Sequence, residues 1–97
     1  MIRFRPAAAR ELAADYRYYE NDYPGRGDRF VAAVDVVLRD IAEHPDRYPL
    51  LLEPDIRSAK VKRFPYRIVY VVIGDDVDIV AVAHAKRRPA YWRRRLQ

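Results

Sequence analysis

His84, Arg87 and Tyr91 lie close together near the carboxyl terminus, and their side chains can move protons and bind anions. A histidine beside Lys86, Arg87 and Arg88 is expected to be neutral, because neighbouring cations disfavour its charged form. A neutral imidazole can accept a proton, an arginine can stabilise charge on a phosphate, and a tyrosine can carry a proton or stack on a base. A metal-free ribonuclease requires these groups. A histidine that ends a strand can equally act as a local hydrogen-bonding group, and the sequence leaves both interpretations open.

The segment His84–Gln97 contains six basic side chains and no acidic one. Such a segment suits contact with a polyanion or an acidic partner better than it suits burial. Lys60 and Lys62 alternate onto one side of an upstream strand, which predicts either phosphate contacts continuous with this segment or an edge strand protected by charge. The candidate target-binding residues are Arg57, Lys60, Lys62, Arg63, Lys86, Arg87, Arg88, Trp92, Arg93, Arg94 and Arg95. We expect Trp92 to pack its ring on the sheet while the arginines around it stay in water.

Basic charge is concentrated in the second half of the chain. Residues 1–55 contain eight basic and eleven acidic side chains, whereas residues 56–97 contain eleven basic and three acidic ones. This asymmetry predicts an anionic target that faces the second half. On charge alone, a plain basic nucleic-acid-binding module would fit as well.

The composition disfavours several classes of site. The chain has no cysteine, and its two histidines and its acidic residues show no spacing typical of a metal site. It has no glycine-rich phosphate loop, and its single serine, Ser58, lies in no nucleophile motif. We therefore expect no metal, no cofactor and no serine-hydrolase chemistry. The lack of cysteine fits a reducing cytoplasm, and we find neither a signal-peptide pattern nor an apolar run long enough for a membrane span.

The first half predicts a short strand and two helices in a single domain, residues 1–97. The strand is Ile2–Phe4, and the helices run from Ala7 to about Tyr23 and from Arg29 to about Glu43, with Gly27 or Asp28 as the cap of the second. The inward face is predicted to carry Leu12, Tyr16, Tyr19 and Tyr23 on the first helix, and Phe30, Val34, Val37, Leu38 and Ile41 on the second. The short link between the helices indicates an antiparallel hairpin.

After a proline-marked loop from Pro45 to about Asp55, the hydrophobic period changes from helical to strand-like. Ala59–Arg63, Tyr66–Ile73 and Val77–Ala83 are predicted as three antiparallel strands. Tyr66–Ile73 is apolar on most of both faces and should be the central strand. We thus predict an α+β fold, with a helical hairpin packed on an antiparallel sheet and a basic C-terminal tail or short helix.

Three stretches, Phe64–Tyr70, Val80–His84 and Arg87–Arg95, resemble the carboxy-terminal signature of the RelE/ParE toxin superfamily. The early strand, the alanine-rich first helix, the opening Arg29–Val34 of the second helix and its closing His44-Pro45 are similar to the family too. The resemblance covers nearly the whole chain. The Phe-Pro-Tyr and Arg-Pro-x-Tyr-Trp features resemble the ParE and plasmid-stabilisation branch more closely than the RelE branch.

The resemblance implies a toxin of a bacterial type II toxin–antitoxin module, a small basic cytoplasmic protein silenced by a cognate antitoxin. It further implies two possible targets. ParE-like members inhibit DNA gyrase and thereby growth, without enzymatic activity of their own, whereas RelE-like members cut messenger RNA on the ribosome. The ParE-like branch favours gyrase. In the RelE-like alternative, His84, Arg87 and Tyr91 would be the catalytic residues.

Overall fold

The structure, a computed structural model, describes residues 1–96. These residues form two α-helices, five strands and one 3₁₀-helix. In chain order they are β1 (Ile2–Phe4), α1 (Pro6–Asp22), α2 (Arg26–Glu43), β2 (Leu50–Leu52), β3 (Ile56–Lys60), β4 (Tyr66–Ile73), β5 (Asp76–His84) and the 3₁₀-helix (Tyr91–Leu96). Gln97, which ends the predicted domain and the predicted basic segment, lies outside the described residues.

The strands form one sheet in the order β1-β5-β4-β3-β2, with the helical hairpin packed on it. Strands β2 to β5 are antiparallel neighbours, and β4 is central. The predicted α+β fold and the central position of Tyr66–Ile73 are therefore confirmed. Strand β1 pairs in parallel with β5 instead of antiparallel, which residue alternation within a strand cannot reveal.

The core between helices and sheet follows the predicted stripe of α2. Phe30, Val34, Val37 and Ile41 are buried there, and Leu38 is partly buried against them. On α1 the prediction holds only in part: Tyr19 is buried, but Tyr23 is 61% exposed. Tyr23 lies just beyond the end of α1, where the backbone is already extended, so helical spacing no longer governs its direction.

Four aromatic rings connect the hairpin to the sheet end where β3 runs into β4. Tyr19 lies 5.1 Å from Phe30 and 5.2 Å from Phe64, measured between ring centroids, and Phe30 lies 4.9 Å from Tyr66. Aromatic pairs at such spacings stabilise beyond the area that they bury. The cluster therefore holds the β3–β4 turn, which carries Lys62 and Arg63, against the helices.

The side chain that caps α2 is a carboxylate of α1 and not the predicted Gly27 or Asp28. The Glu20 side chain accepts hydrogen bonds from the backbone N–H groups of Gly25 (3.0 Å) and Gly27 (3.1 Å). Helix α2 begins at Arg26, three residues before the predicted start. A Cβ on Gly27 would lie 2.7 Å from the carbonyl oxygen of Tyr16, so only glycine permits this approach of the two helices.

The largest departure from the predicted strands lies between the second helix and the sheet. The stretch predicted as a loop contains β2, which pairs with β3. Strand β3 spans Ile56–Lys60 instead of Ala59–Arg63. Three leucines between Pro49 and Glu53 are too short a pattern to distinguish from a loop. Strand β2 pairs with β3 at Ile56 and Arg57 and does not reach Lys60, so a charge at Lys60 can still protect the uncovered end of β3.

The sheet face opposite the helices carries a second, smaller core. Val69, Val80 and Ala81 are buried on it together with Trp92, which is only 3% exposed. Successive strand residues point to opposite faces, so β4 supplies both cores. The predicted packing of Trp92 on the sheet is confirmed. Within residues 1–96, neither helix is long and apolar enough to cross a membrane.

Candidate functional site

The residues after β5 fold back over the sheet and do not extend as a tail. Lys86, Arg87 and Arg88 lie in an exposed turn at the end of β5. The backbone N–H of Ala85 donates to the carbonyl of Pro65 at 2.7 Å, so this turn lies beside the β3–β4 turn. We call residues 85–96 the C-terminal segment.

One carboxylate, that of Glu11 on α1, holds the C-terminal segment in place. Its Oε1 accepts from Arg95 Nη1 (2.8 Å) and from the backbone N–H of Val82 (3.0 Å). Its Oε2 accepts from the Tyr91 hydroxyl (2.5 Å) and from Arg95 Nη2 (3.0 Å). Arg95 Nη1 also donates to the carbonyl of Val80 at 3.1 Å. Arg95 was predicted to stay in water; this prediction is wrong, because its side chain is only 22% exposed and pairs with Glu11.

This contact changes the proton affinity of both partners of the tyrosine–carboxylate bond. Burial by itself would raise the pKa of Glu11, but the hydrogen bonds from Arg95, Tyr91 and Val82 outweigh it and lower the pKa. Burial raises the pKa of Tyr91 strongly, and its bond to the Glu11 carboxylate raises it further. Tyr91 is therefore a hydrogen-bond donor that gives up its proton reluctantly.

His84 ends β5 beside a shallow depression of about 410 Å³ whose lining includes Asp15, Tyr66 and Arg87. Its Nδ1 accepts the backbone N–H of Lys86 at 2.9 Å, and its ring meets the Tyr66 ring edge-on at 4.9 Å. Both contacts stabilise the end of β5, as expected of a structural histidine. Burial raises the pKa of Asp15, and the nearby Glu11 carboxylate adds to the rise.

A second basic surface lies on the helix side, beside α2. It is a groove of about 800 Å³ with an apolar floor that includes Val36, which is 64% exposed. Its lining residues are Arg26, Arg29, Ala32, Ala33, Val36, Val37, Asp40, Tyr48, Lys60, Lys62, Arg63 and Phe64. We call it the basic groove. Lys60, Lys62 and Arg63 make no ion pair within residues 1–96, so their charges are open to a partner.

The predicted target-binding residues thus divide into two surfaces and three exceptions. Lys60, Lys62 and Arg63 belong to the basic groove. Lys86, Arg87, Arg88, Arg93 and Arg94 are exposed on the C-terminal segment. Arg57 belongs to neither, since its guanidinium donates to the carbonyl of Tyr48 at 2.5 Å. Arg95 and Trp92 support the C-terminal segment from within.

Comparison with known proteins decides the family. The family described as the ParE toxin of type II toxin–antitoxin systems, parDE, matches residues 2–89. The chain belongs to the ParE toxin family. Comparison with curated proteins gives no match.

Two solved structures share the fold of this ParE-family chain. A chain of the chromosomal ParDE toxin–antitoxin system from P. aeruginosa superimposes with a TM-score of 0.76 at 18% identity, covering 88% of this chain and 95% of that one. The YoeB dimer from Staphylococcus aureus gives a TM-score of 0.58 at 19% identity, covering 86% and 93%. Membership of the ParE family makes this chain a toxin of a toxin–antitoxin system and implies a cognate antitoxin as its partner.

Sequence reasoning missed the acidic residues that support this ParE-family site. Glu11 and Asp15 follow buried Ala8 at helical spacing and precede buried Tyr19. Acidic residues on an inward helix face predict basic or hydroxyl partners, which here come from the far end of the chain. That spacing was visible in the sequence, but the identity of the partners was not.

One acidic cluster lies at the end of α2, and its Asp40 also lines the basic groove of this ParE-family chain. Ligand atoms of Asp40, Glu43 and His44 lie within 4.8 Å of one another. Asp40 already accepts hydrogen bonds from Tyr48 and from Arg47, the latter at 2.9 Å. Its carboxylate is therefore committed to holding the loop after α2.

Proposed function

We propose that this toxin inhibits bacterial DNA gyrase in the cytoplasm and is silenced by its cognate antitoxin. The ParE family match over residues 2–89 carries the proposal, because ParE-like toxins, as the sequence resemblance implied, act on gyrase. Residue chemistry supports it. The Tyr91 hydroxyl, which a ribonuclease would use, is bound to Glu11 at 2.5 Å and has a raised pKa.

The C-terminal segment supplies the surface for the target. Lys86, Arg87 and Arg88 are exposed, and they lie on a turn anchored to the sheet by Trp92 and Glu11. Exposed arginines contribute little to folding but can dominate binding to an anionic surface. Gyrase bound to DNA offers such an anionic surface. Inhibition by binding to it requires contact only and no proton transfer by the toxin.

The basic groove is the surface that fits the antitoxin. Five cations on its rim and an open apolar floor suit an amphipathic helix with acidic flanks that folds on binding. The groove ends at the β3–β4 turn, which lies beside the C-terminal segment. An antitoxin helix seated there would place neighbouring antitoxin residues over Arg87 and Arg88 and block the target.

A ribosome-dependent endoribonuclease is the second candidate, and one observation favours it. His84 and Arg87 line the same depression. Because His84 Nδ1 accepts the Lys86 N–H, the neutral ring carries its proton on Nε2 and could donate it to a leaving group, while the Arg87 guanidinium could stabilise a phosphate. Loss of His84 or Tyr91 would then reduce cleavage by roughly 10²-fold while binding persists.

Induction of the toxin in a bacterial culture tests the two candidates side by side. The supercoiling of a reporter plasmid and the integrity of messenger RNA are followed in the same samples, with and without the antitoxin. We expect relaxed plasmid, a DNA-damage response and intact messenger, all reversed by the antitoxin. Codon-specific messenger cleavage with normal supercoiling would overturn the gyrase proposal in favour of the ribonuclease.

A further inference from the structure

The Glu11 carboxylate joins three elements that lie far apart in the sequence. It is on α1, it accepts the backbone N–H of Val82 on β5, and it binds both Tyr91 and Arg95 of the 3₁₀-helix. The Glu11 side chain is 15% exposed. A buried carboxylate is costly unless hydrogen bonds compensate it, and this one receives four. A basic tail that only aided solubility would need no such arrangement.

The ring of Tyr91, which Glu11 holds in place, contacts the exposed side chain of Arg87. The guanidinium carbon of Arg87 lies 3.8 Å from the centroid of the Tyr91 ring, and that of Arg95 lies at 5.2 Å. A cation over an aromatic face is attracted by the ring quadrupole, and the interaction needs the ring in a defined place. Glu11 holds the ring in two ways: directly through the Tyr91 hydroxyl, and through Arg95, which binds Glu11 and lies against the same ring. The position of Arg87 thus depends on Glu11 through Tyr91.

We propose that Glu11 and Tyr91 are positioning residues for Arg87, and that Tyr91 takes no part in proton transfer. The inference rests on the proposed function in one respect, since it requires that Arg87 contact the target. Arg87 has no ion-pair partner within residues 1–96, so the ring of Tyr91 is its main support. Holding the guanidinium in place before binding removes an ordering cost that a free side chain would incur on binding.

Two substitutions at Tyr91 separate positioning from chemistry. Tyr91→Phe removes the hydroxyl but keeps the ring under Arg87, and Arg95 still joins Glu11 to the segment; we expect its potency to stay within about threefold of the parent. Tyr91→Leu removes the ring, and we expect a loss of at least about tenfold. A catalytic tyrosine would lose roughly 10²-fold in both variants. Potency is the toxin dose that halves growth, at matched expression.

Glu11→Gln tests the origin of the constraint and has a spectroscopic readout. Trp92 is the only tryptophan in the chain. It lies in the same 3₁₀-helix as Tyr91 and Arg95 and packs on the sheet. We expect its emission to shift to the red in Glu11→Gln, with potency reduced about as much as in Tyr91→Leu. Glu43→Gln is the matched control: it removes the same charge from an exposed position on α2 and should change neither readout.

Each result decides the inference. Equal inactivity of Tyr91→Phe and Tyr91→Leu, or full potency of Tyr91→Leu, would overturn it; so would unchanged emission and potency in Glu11→Gln. If Glu11→Gln does not fold, the Tyr91 pair alone decides. Growth inhibition reports on positioning whatever the target is, while a parallel supercoiling assay reports on gyrase. If the two Tyr91 variants inhibit growth as expected but supercoiling stays normal, gyrase is excluded as the target and the positioning role is retained.

Discussion

The basic groove and the C-terminal segment carry charge of the same sign but are built in different ways. In the groove, separate elements supply the cations, which surround an open apolar floor that includes Val36. In the C-terminal segment the exposed cations lie on one short stretch whose position depends on Trp92, Tyr91 and Arg95. A floor of open apolar surface suits a partner that buries a helix face. A set of supported cations suits a target recognised by charge and position.

The largest effect should come from removing the cations of the C-terminal segment. Arg87→Ala with Arg88→Ala should lower growth inhibition by roughly 10²-fold, because the loss of about 1.4 kcal/mol from each of two central interface arginines weakens binding tenfold twice over. Folding stability should change by less than about 1 kcal/mol per exposed arginine. Arg10→Ala with Arg17→Ala, two exposed positions on α1, is the charge-matched control. If the control loses as much potency as the test pair, net charge and not the segment determines toxicity.

Loss of the Glu11 carboxylate should destabilise the C-terminal segment and leave the basic groove intact. Glu11→Ala leaves Arg95 unpaired in a site that is only 22% exposed, which should cost about 2 kcal/mol. The Glu11 pKa is lowered in the folded state, so its contribution is present above the unfolded pKa of about 4.3 and is lost as the pH falls through the folded pKa. Urea denaturation between pH 7 and pH 3 measures both effects. If the free energy of unfolding of the parent chain changed with pH in the same way as that of Glu11→Gln, the stabilising role of the ionised Glu11 would be contradicted.

A charge placed on the floor of the basic groove should weaken the antitoxin without weakening toxicity. Val36→Glu should lower antitoxin affinity about tenfold, since it puts a carboxylate against the apolar face of the bound helix. Val31→Glu on the same helix, outside the groove, is the control. Calorimetric titration of the purified pair measures the affinity. Equal loss in both variants, or none in Val36→Glu, would place the antitoxin elsewhere.

His84 should matter little if the C-terminal segment works by contact alone. His84→Ala removes the edge contact with Tyr66 and the bond to Lys86, so we expect a change in potency of at most about threefold. A loss of roughly 10²-fold with normal antitoxin binding would instead indicate proton transfer. The measurement is the growth-inhibiting dose at matched expression.

The smallest effect concerns Asp15, whose pKa burial raises. A carboxyl with a raised folded pKa opposes folding when ionised, and the opposition disappears as the pH falls through that pKa. Asp15→Asn should therefore stabilise the chain at pH 7 by about 0.5 kcal/mol and by less at pH 4. Thermal unfolding at both pH values tests this; stabilisation that grows on acidification would have the wrong sign.

The fold was predictable where the pattern was long and strictly periodic. The stripe of α2 and the two-sided apolar run of β4 extend over enough residues to decide helix and strand. Strand β2 has three residues, and the parallel pairing of β1 involves residues far apart in the chain, so neither leaves a local pattern. Short elements depend on their neighbours for stability, which local sequence does not contain.

The candidate site was predictable in its residue types but not in its connections. The basic stretch after β5 and the packing of Trp92 followed from composition and amphipathic character. The role of Arg95 did not, because Arg94 and Arg95 are identical side chains in adjacent positions. Only the tertiary position of Glu11, 84 residues from Arg95, distinguishes the supporting arginine from the exposed one.

Supercoiling by purified DNA gyrase, titrated with the toxin, tests the central claim most directly. The account predicts that the parent chain blocks supercoiling, that the antitoxin restores it, and that Arg87→Ala with Arg88→Ala requires roughly 10²-fold more protein for the same block. Undisturbed supercoiling at toxin concentrations that saturate the antitoxin would contradict it.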